Sequence, residues 1–352
     1  MTDDARHVLV AAQASRIFPG AAAEVGSSGG VLWRDVVGTL TFDDPTPIDL
    51  HTPFDLASLT KVIATTTAVM SLVGSPRGDI APGVRLDDHL ELHFGEWRGH
   101  DREAATVRDL LEHASGLPAR LVDAPPVARR EFEHEICTIR LECAPRRQSI
   151  YSDLGFILLG FLVADVTGEA LDARFSAIWP DPSLTFGLSG GARRRAAPTQ
   201  PLEEDLRRGR TLVGEVHDNY AAALGGVAGH AGLFGDAPAV GAFARTILRA
   251  ARGDESEREP FSAAMIAQFT TRSTVPGSSR ALGWDTMLPT SSCGTRMSTA
   301  AFGHVGFTGT SLWIDPVRDR YFVLLTNRAC GGGTIDDMRV VRQSFHDALG
   351  DV

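Results

Sequence analysis

Apolar residues fall along this chain in two kinds of pattern: short runs bounded by glycine, and longer segments with helical spacing. Ala21 to Val25 and Val31 to Leu40 flank the stretch Gly26-Ser-Ser-Gly-Gly30, which predicts an antiparallel hairpin. A helix over about 5–17 precedes it and is ended by Pro19-Gly20. Near the other end, Ala281 to Trp284, Ala301 to Asp315 and Tyr321 to Asn327 read as strands of one antiparallel sheet, with Asp315 to Arg320 as the hairpin joining the last two. Between these lie two segments that are apolar nearly all round. One follows Ser58 with Val62, Ile63, Val69 and Leu72; the other runs from Tyr151-Ser-Asp153 to Asp165. A helix without a polar face belongs in the interior. Further helices are expected after Thr106, which caps a segment stopped by Gly116 and Pro118, and over about 238–251, 262–271 and 336–349. Residues 79–84 read as a Pro/Gly connector, 119–148 as surface helices and loops, and 172–212 as loop-rich. Helices and an antiparallel sheet together place the chain in the α+β class.

The 352 residues, 43% hydrophobic and 22% charged, are enough for one large or two intimate domains with a sizeable core. A net charge of -10 and a pI near 5.6 argue against nucleic acid or an anionic membrane surface as the main partner. The run Arg193-Arg194-Arg195 is too short to offset this and reads as a solvated turn. The N-terminal residues show no basic and apolar leader pattern, and no stretch approaches the roughly 18 apolar residues of a membrane span, so a cytoplasmic location is expected. Cys137, Cys143, Cys293 and Cys330 have neither zinc-ligand spacing nor the density of a disulfide framework, and are expected to be reduced.

Candidate chemistry gathers at the openings of the two buried helices. Ser58 and Lys61 are three residues apart, close enough on one helical face for the amine to reach the hydroxyl. Burial disfavours the charged form of a lysine, and a neutral amine beside a serine can take its proton. Tyr151 opens the second helix, where a phenol beside an amine can act as a general base. Ser28 and Ser189 sit in Gly-x-Ser-x-Gly tracts, but neither has the strand before and helix after that such an elbow requires. His89 and His93 are four apart without a third ligand candidate. The glycine-rich segment from Val216 to Phe234 reads as a pocket wall; within it His217, Asp218 and His230 have the chemistry for a metal or acid/base role as well as for structural hydrogen bonding.

Three pieces stand in a recognisable order: Ser58-Leu-Thr-Lys61, Tyr151-Ser-Asp153 and His304-Val-Gly306. Together they resemble the Ser-x-x-Lys, Tyr-x-Asn and Lys/His-x-Gly motifs of the serine β-lactamase-related family, which takes in class C β-lactamases, D-alanyl-D-alanine carboxypeptidases and family VIII esterases. Pro19-Gly20, Asp109 to Pro118 and Gly303 to Thr310 also look like that family's supporting stretches, so the likeness covers nearly the whole chain. It implies an antiparallel sheet built from residues 1–78 and 275–352, a mostly helical region 79–274 inserted between them, and an active site in the cleft. It further implies Ser58 as the acylated nucleophile, Lys61 and Tyr151 as the proton-transfer pair, and Asp153 in the place of the family's asparagine. His304 and Gly306 would line the edge strand, with the backbone N–H groups of Ser58 and Phe307 as the oxyanion hole, each such donor worth roughly 10²–10³ in rate.

Two departures narrow the expected activity. Asp153 replaces amide donors with a carboxylate, and a neutral His304 attracts a substrate carboxylate less than the lysine of β-lactamases does. Both argue against an efficient antibiotic-degrading enzyme and for a serine hydrolase of a small ester, or of a D-amino-acid or peptidoglycan-type amide, without metal or cofactor. Weak β-lactamase or penicillin-binding carboxypeptidase activity is the enzymatic alternative; a catalytically silent binding module on the same fold is the other. The oligomeric state is left open.

Overall fold

The computed structural model describes residues 2–73, 83–121, 125–254, 256 and 259–350. Its strands, in chain order, are β1 (Gly20–Ser27), β2 (Gly30–Gly38), β3 (Phe54–Asp55), β4 (Leu184–Phe186), β5 (Leu233–Gly235), β6 (Asp285–Thr286), β7 (Phe302–Val305), β8 (Ser311–Asp315) and β9 (Arg320–Thr326). Six of them form one antiparallel sheet in the order β2-β1-β9-β8-β7-β6, so both ends of the chain meet where β1 pairs with β9. The remaining three form a small sheet, β3-β5-β4, beside the site described below.

The large sheet is covered on both faces, which explains why β1 reads as an unbroken run of small apolar residues instead of an alternation. Side chains still alternate by the pleat. Ala21, Ala23 and Val25 face the core shared with Leu9, Phe345 and Leu349, from the helices Thr2–Ala14 and Ile335–Ala348 and the residue after the latter. Ala22 faces the larger core of the central helices. Glu24 points the same way as Ala22 and is buried, accepting from the Tyr321 hydroxyl at 2.7 Å and from Arg34 Nε at 2.6 Å. The helix Ala237–Ala251 packs across β1, β8 and β9 on that face, although it lies in the 79–274 range expected to be inserted apart from the sheet.

The buried helices Lys61–Val73 and Asp153–Thr167 lie side by side in the larger core, as their uniformly apolar sequences require. Several boundaries differ from the sequence expectation for local reasons. Ahead of Ser58, Phe54 and Asp55 add a short strand, and winding starts after Ser58, as expected. The helix Leu171–Ile178 occupies the start of the stretch expected to be loop, because Leu171 and Phe175, one turn apart, bury against the core. Residues Ala281 to Trp284 form a tight turn closed by Ala281 N–H to Trp284 C=O at 2.8 Å, with Gly283 at φ +86°, and the strand begins at Asp285. The 301–315 stretch is two strands around a turn at 306–310. The 79–84 connector, and with it the 78/79 boundary, lies outside the described residues except for 83 and 84. All four cysteines are free, and no single helix among the described residues is long and apolar enough to cross a membrane.

Candidate active site

The turn that carries Ser58 is held from three sides. Asp55, at the end of β3, is buried; its carboxylate accepts from the Ala57 N–H at 2.8 Å and the His217 N–H at 2.6 Å, and burial pushes its pKa up to about 6. From the opposite side the hydroxyls of Thr308 and Thr310 donate to the carbonyls of Asp55 and Leu56, at 2.7 and 3.0 Å. Between these anchors Ala57 adopts φ +46°, a left-handed conformation that costs a non-glycine residue on the order of 1–2 kcal/mol. The strained residue sets the direction in which Ser58 leaves the turn.

Lys61 lies fully buried one turn on, in a π-helical turn over Lys61–Thr65. Its Nζ donates to Ser58 Oγ at 3.0 Å, to Asp153 Oδ1 at 2.8 Å and to the His230 carbonyl at 3.3 Å. Three acceptors around an amine use all three N–H bonds of an ammonium. Burial pushes the Lys61 pKa down, but the Asp153 carboxylate and the Tyr151 phenol outweigh it and hold the group above the ordinary lysine value. The expected neutral amine is therefore not what the resting site contains: Lys61 is charged, because Asp153 supplies the counter-charge that burial alone lacks.

Asp153 and Tyr151 stand at the mouth of the helix Asp153–Thr167. Ser152 caps that helix through its hydroxyl to the Gly155 N–H, and its own N–H donates to His113 Nδ1 at 3.0 Å. The Tyr151 ring is packed between imidazoles, with centroids 4.6 Å from His113 and 5.8 Å from His304. Two cations also lie against it: Lys61 Nζ and Arg280 Cζ are each 4.9 Å from the ring centre. The His230 carbonyl reaches Lys61 because Gly229 lets its segment approach this helix; a Cβ at Gly229 would lie 1.9 Å from the Phe156 carbonyl oxygen.

His304, on β7, is buried. Its Nδ1 lies 2.9 Å from the Val305 carbonyl, which can only accept, so Nδ1 carries the proton and Nε2 accepts from Arg280 Nη1 at 3.4 Å. Burial first, then the charges of Arg280 and Lys61, hold its pKa well below the usual imidazole value, so it is neutral. After β7 the chain turns at Gly306, where a Cβ would meet Thr310 Oγ1 at 2.1 Å and the Leu56 carbonyl at 2.6 Å. Two buried arginines grip that turn. Arg342 Nη2 donates to the Gly306 and Thr310 carbonyls at 2.7 and 3.0 Å, and Arg328 Nε to the Phe307 carbonyl at 3.0 Å. The Gly306 carbonyl and the Phe307 N–H belong to one planar trans peptide, so pulling the oxygen toward Arg342 directs the N–H to the other side. Neither that N–H nor the Ser58 N–H donates to a protein acceptor among the described residues.

A cavity of about 440 Å³ opens on this surface, lined by Ser58, Tyr151, His304, Gly306, Phe307 and Arg280 among others, with Lys61 and Asp153 behind the first two. Of the other candidates, His217 turns aside, stacking on Phe307 at 5.2 Å and approaching the Gln200 carbonyl at 3.0 Å. His230 Nε2 and Asp218 Oδ1 are 2.7 Å apart, one shell behind Lys61. Ligand atoms of Asp153, Asp218 and His230 lie within 4.8 Å of one another, but Arg120 Nη1 is 2.9 Å from both carboxylates, so a guanidinium occupies the place a cation would take. His89 and His93 flank a single short turn and face different partners, Glu103 and Asp88. Ser28, in the β1–β2 turn, bonds Asp319 and is followed by a strand. Ser189, against the sequence expectation, does stand between a strand, β4, and a short helix, Gly190–Arg195, but it does not line the cavity that holds Ser58.

Sequence reasoning missed four arginines, Arg120, Arg280, Arg328 and Arg342, as well as His113. Two signals were available. Arg342 interrupts the buried face Met338, Val341, Phe345 of the last helix. Lys61 is the only lysine in the chain, every other permanently charged basic residue being arginine.

Residues 5–343 match the model of the family described as Beta-lactamase. The chain is similar to a protein of Escherichia coli named "Putative D-alanyl-D-alanine carboxypeptidase", 31% identical over 321 residues that span 83% of this chain and 72% of that protein. It is 30% identical to a protein of the same name from Salmonella gallinarum, over 83% of this chain and 73% of the relative. Among solved structures it resembles EstCE1, "a hydrolase with promiscuous acyltransferase activity" (TM-score 0.77, 16% identity, 99% and 98% of the two chains). It also resembles a penicillin-binding protein homolog from Caulobacter crescentus (TM-score 0.75, 20% identity, 99% and 97%). At those identities the structural likeness speaks for the fold.

Proposed function

This chain belongs to the beta-lactamase family, and from that membership we propose that Ser58 is the nucleophile of a serine hydrolase that forms an acyl-enzyme on a small ester or on a D-amino-acid or peptidoglycan-type amide. The observation that carries the reading is the 3.0 Å contact between Ser58 Oγ and the buried Lys61 Nζ at the wall of the cavity. Ser58 Oγ attacks the substrate carbonyl carbon, and the developing oxyanion is met by the N–H groups of Ser58 and Phe307. Lys61 accepts the Ser58 proton as it passes one of its own to Asp153 across 2.8 Å. Tyr151 delivers a proton to the departing oxygen or nitrogen as the acyl bond breaks. Water then attacks the ester on Ser58 by the same route in reverse, releasing the acid and restoring the hydroxyl. The proposed cleft lies between the sheet region, residues 1–78 and 275–352 joined by the helix Ala237–Ala251 that packs on the sheet, and the rest of the 79–274 region.

The test is Ser58→Ala assayed on p-nitrophenyl esters: turnover should fall by about 10³-fold or more, and unchanged turnover would remove Ser58 from the role. A second reading has its own support. The neutral His304 lacks the charge that would attract a substrate carboxylate, but Arg280 Nη1, 3.4 Å from its Nε2, returns a cation to the cavity wall. This favours substrates with a carboxylate on the leaving side, including amides of D-amino acids and penicillins. Mass spectrometry after incubation with a penicillin should then show an adduct on Ser58.

A further inference from the structure

Behind Lys61 the charges continue, through half-buried side chains, in a line that the hydrolytic reaction does not use beyond Asp153. Asp153 accepts from Lys61 through Oδ1 and from Arg120 Nη1 through Oδ2, at 2.8 and 2.9 Å. The same Nη1 reaches Asp218 Oδ2 at 2.9 Å, and Arg120 Nη2 donates to Asn219 Oδ1 at 2.6 Å. The guanidinium is also stacked over the Tyr220 ring, 4.0 Å from its centre. Asp218 is fixed in turn by the Ala221 N–H at 2.8 Å and by His230 Nε2 at 2.7 Å, and the His230 carbonyl closes the loop on Lys61.

We propose that Arg120 is a positioning residue for catalysis: wedged between Asp153 and Asp218, it keeps Asp153 ionised and aimed at Lys61, and so sets the pH range over which Asp153 can take a proton from the lysine. This rests on the reading of Ser58 and Lys61 given above. Without a cation between them, two carboxylates this close repel, and one takes up a proton. Lys61 alone cannot neutralise both, since its three N–H bonds are already committed. The groups facing Asp153 are Lys61 from the helix Lys61–Val73, Arg120 from the loop before the helix Asp153–Thr167, and Asp218 and His230 from the glycine-rich segment; Tyr151, His113, His304 and Arg280 face Lys61 from the cavity side. Burial and Asp218 push the Asp153 pKa up, Lys61, His230 and Arg120 pull it down, and the balance leaves it below the usual aspartate value. Arg120 is held cationic by Asp218 and Asp153 against the opposing effect of burial.

The single lysine makes the test direct. Protein grown with lysine carrying carbon-13 at the ε position gives one lysine side-chain signal, whose shift records both its own ionisation and that of the adjacent carboxylate. The acid inflection of that signal should move to higher pH by about one unit or more in Arg120→Gln, and the acid limb of kcat/KM should move with it. Arg120→Lys, which restores the charge but not the fork, should return both toward the native position. A folded Arg120→Gln protein with an unmoved inflection would overturn the proposal, as would Arg120→Lys and Arg120→Gln giving the same displaced inflection. The signal titrates whether or not Ser58 is the nucleophile, so failure here is separable from failure of the functional reading.

Discussion

Arg342 Nη2 lies 2.7 Å from the carbonyl oxygen of Gly306, linking the last helix to the peptide whose N–H is assigned to the oxyanion hole. The guanidinium is buried, and burial together with the Arg328 charge pushes it down to about 9, so it remains a cation at neutral pH. Its work is orientation. Replacing it with methionine keeps much of the volume and removes the grip, so kcat should fall by about 10²-fold with KM little changed. Steady-state kinetics on an ester substrate reads this; a fall confined to KM would contradict it.

Arg280 should decide which substrates are favoured. Arg280→Ala is expected to lower kcat/KM for a substrate with a carboxylate on the leaving side by about 10- to 100-fold relative to a neutral ester, the range for a hydrogen bond to a charged group. The ratio of the two, measured on one preparation, cancels any general loss of activity.

Asp55 makes stability depend on pH. Its folded pKa is raised from 3.8 to about 6, so between those values the folded state holds a proton that the unfolded state has released. Stability from this group is therefore full below pH 3.8, declines as pH rises through about 6, and is reduced above it, by up to roughly 3 kcal/mol. Denaturant titrations across that window should show a slope in the native protein that Asp55→Asn lacks.

Gly229 is a steric requirement. Gly229→Ala would drive a Cβ to 1.9 Å from the Phe156 carbonyl oxygen and 2.9 Å from the Gly160 nitrogen, both helix backbone that cannot give way, and must move the His230 segment away from Lys61. Thermal unfolding should show a loss on the order of 1–3 kcal/mol, and ester turnover should fall together with it.

Much of the site was legible because its parts are local. Ser58 and Lys61 meet through helical spacing, Tyr151-Ser-Asp153 opens a helix whose apolar run announces its burial, and Gly306 stands where a strand must turn. The hairpins of the large sheet were visible for the same reason, since a glycine-rich or Asp-Pro turn between two apolar runs acts over a few residues. Leu171 to Ile178 was hidden among prolines that follow it, and Ala281 to Trp284 has the apolar content of a strand but the backbone of a turn.

Sequence alone was enough for the pairing of Ser58 with Lys61, the order of the three motifs, and the class of fold. The tertiary structure decided the charge on that amine. Whether a buried lysine is neutral depends on what faces it, and the deciding groups, Asp153 and Tyr151, come from a segment remote in the chain. The same holds for Arg280, Arg328 and Arg342, whose side chains reach the cavity only after β7, the 306–310 turn and the last helix have packed together. Helical spacing and turn chemistry act between near neighbours in sequence, whereas electrostatics inside a protein is summed over everything near in space.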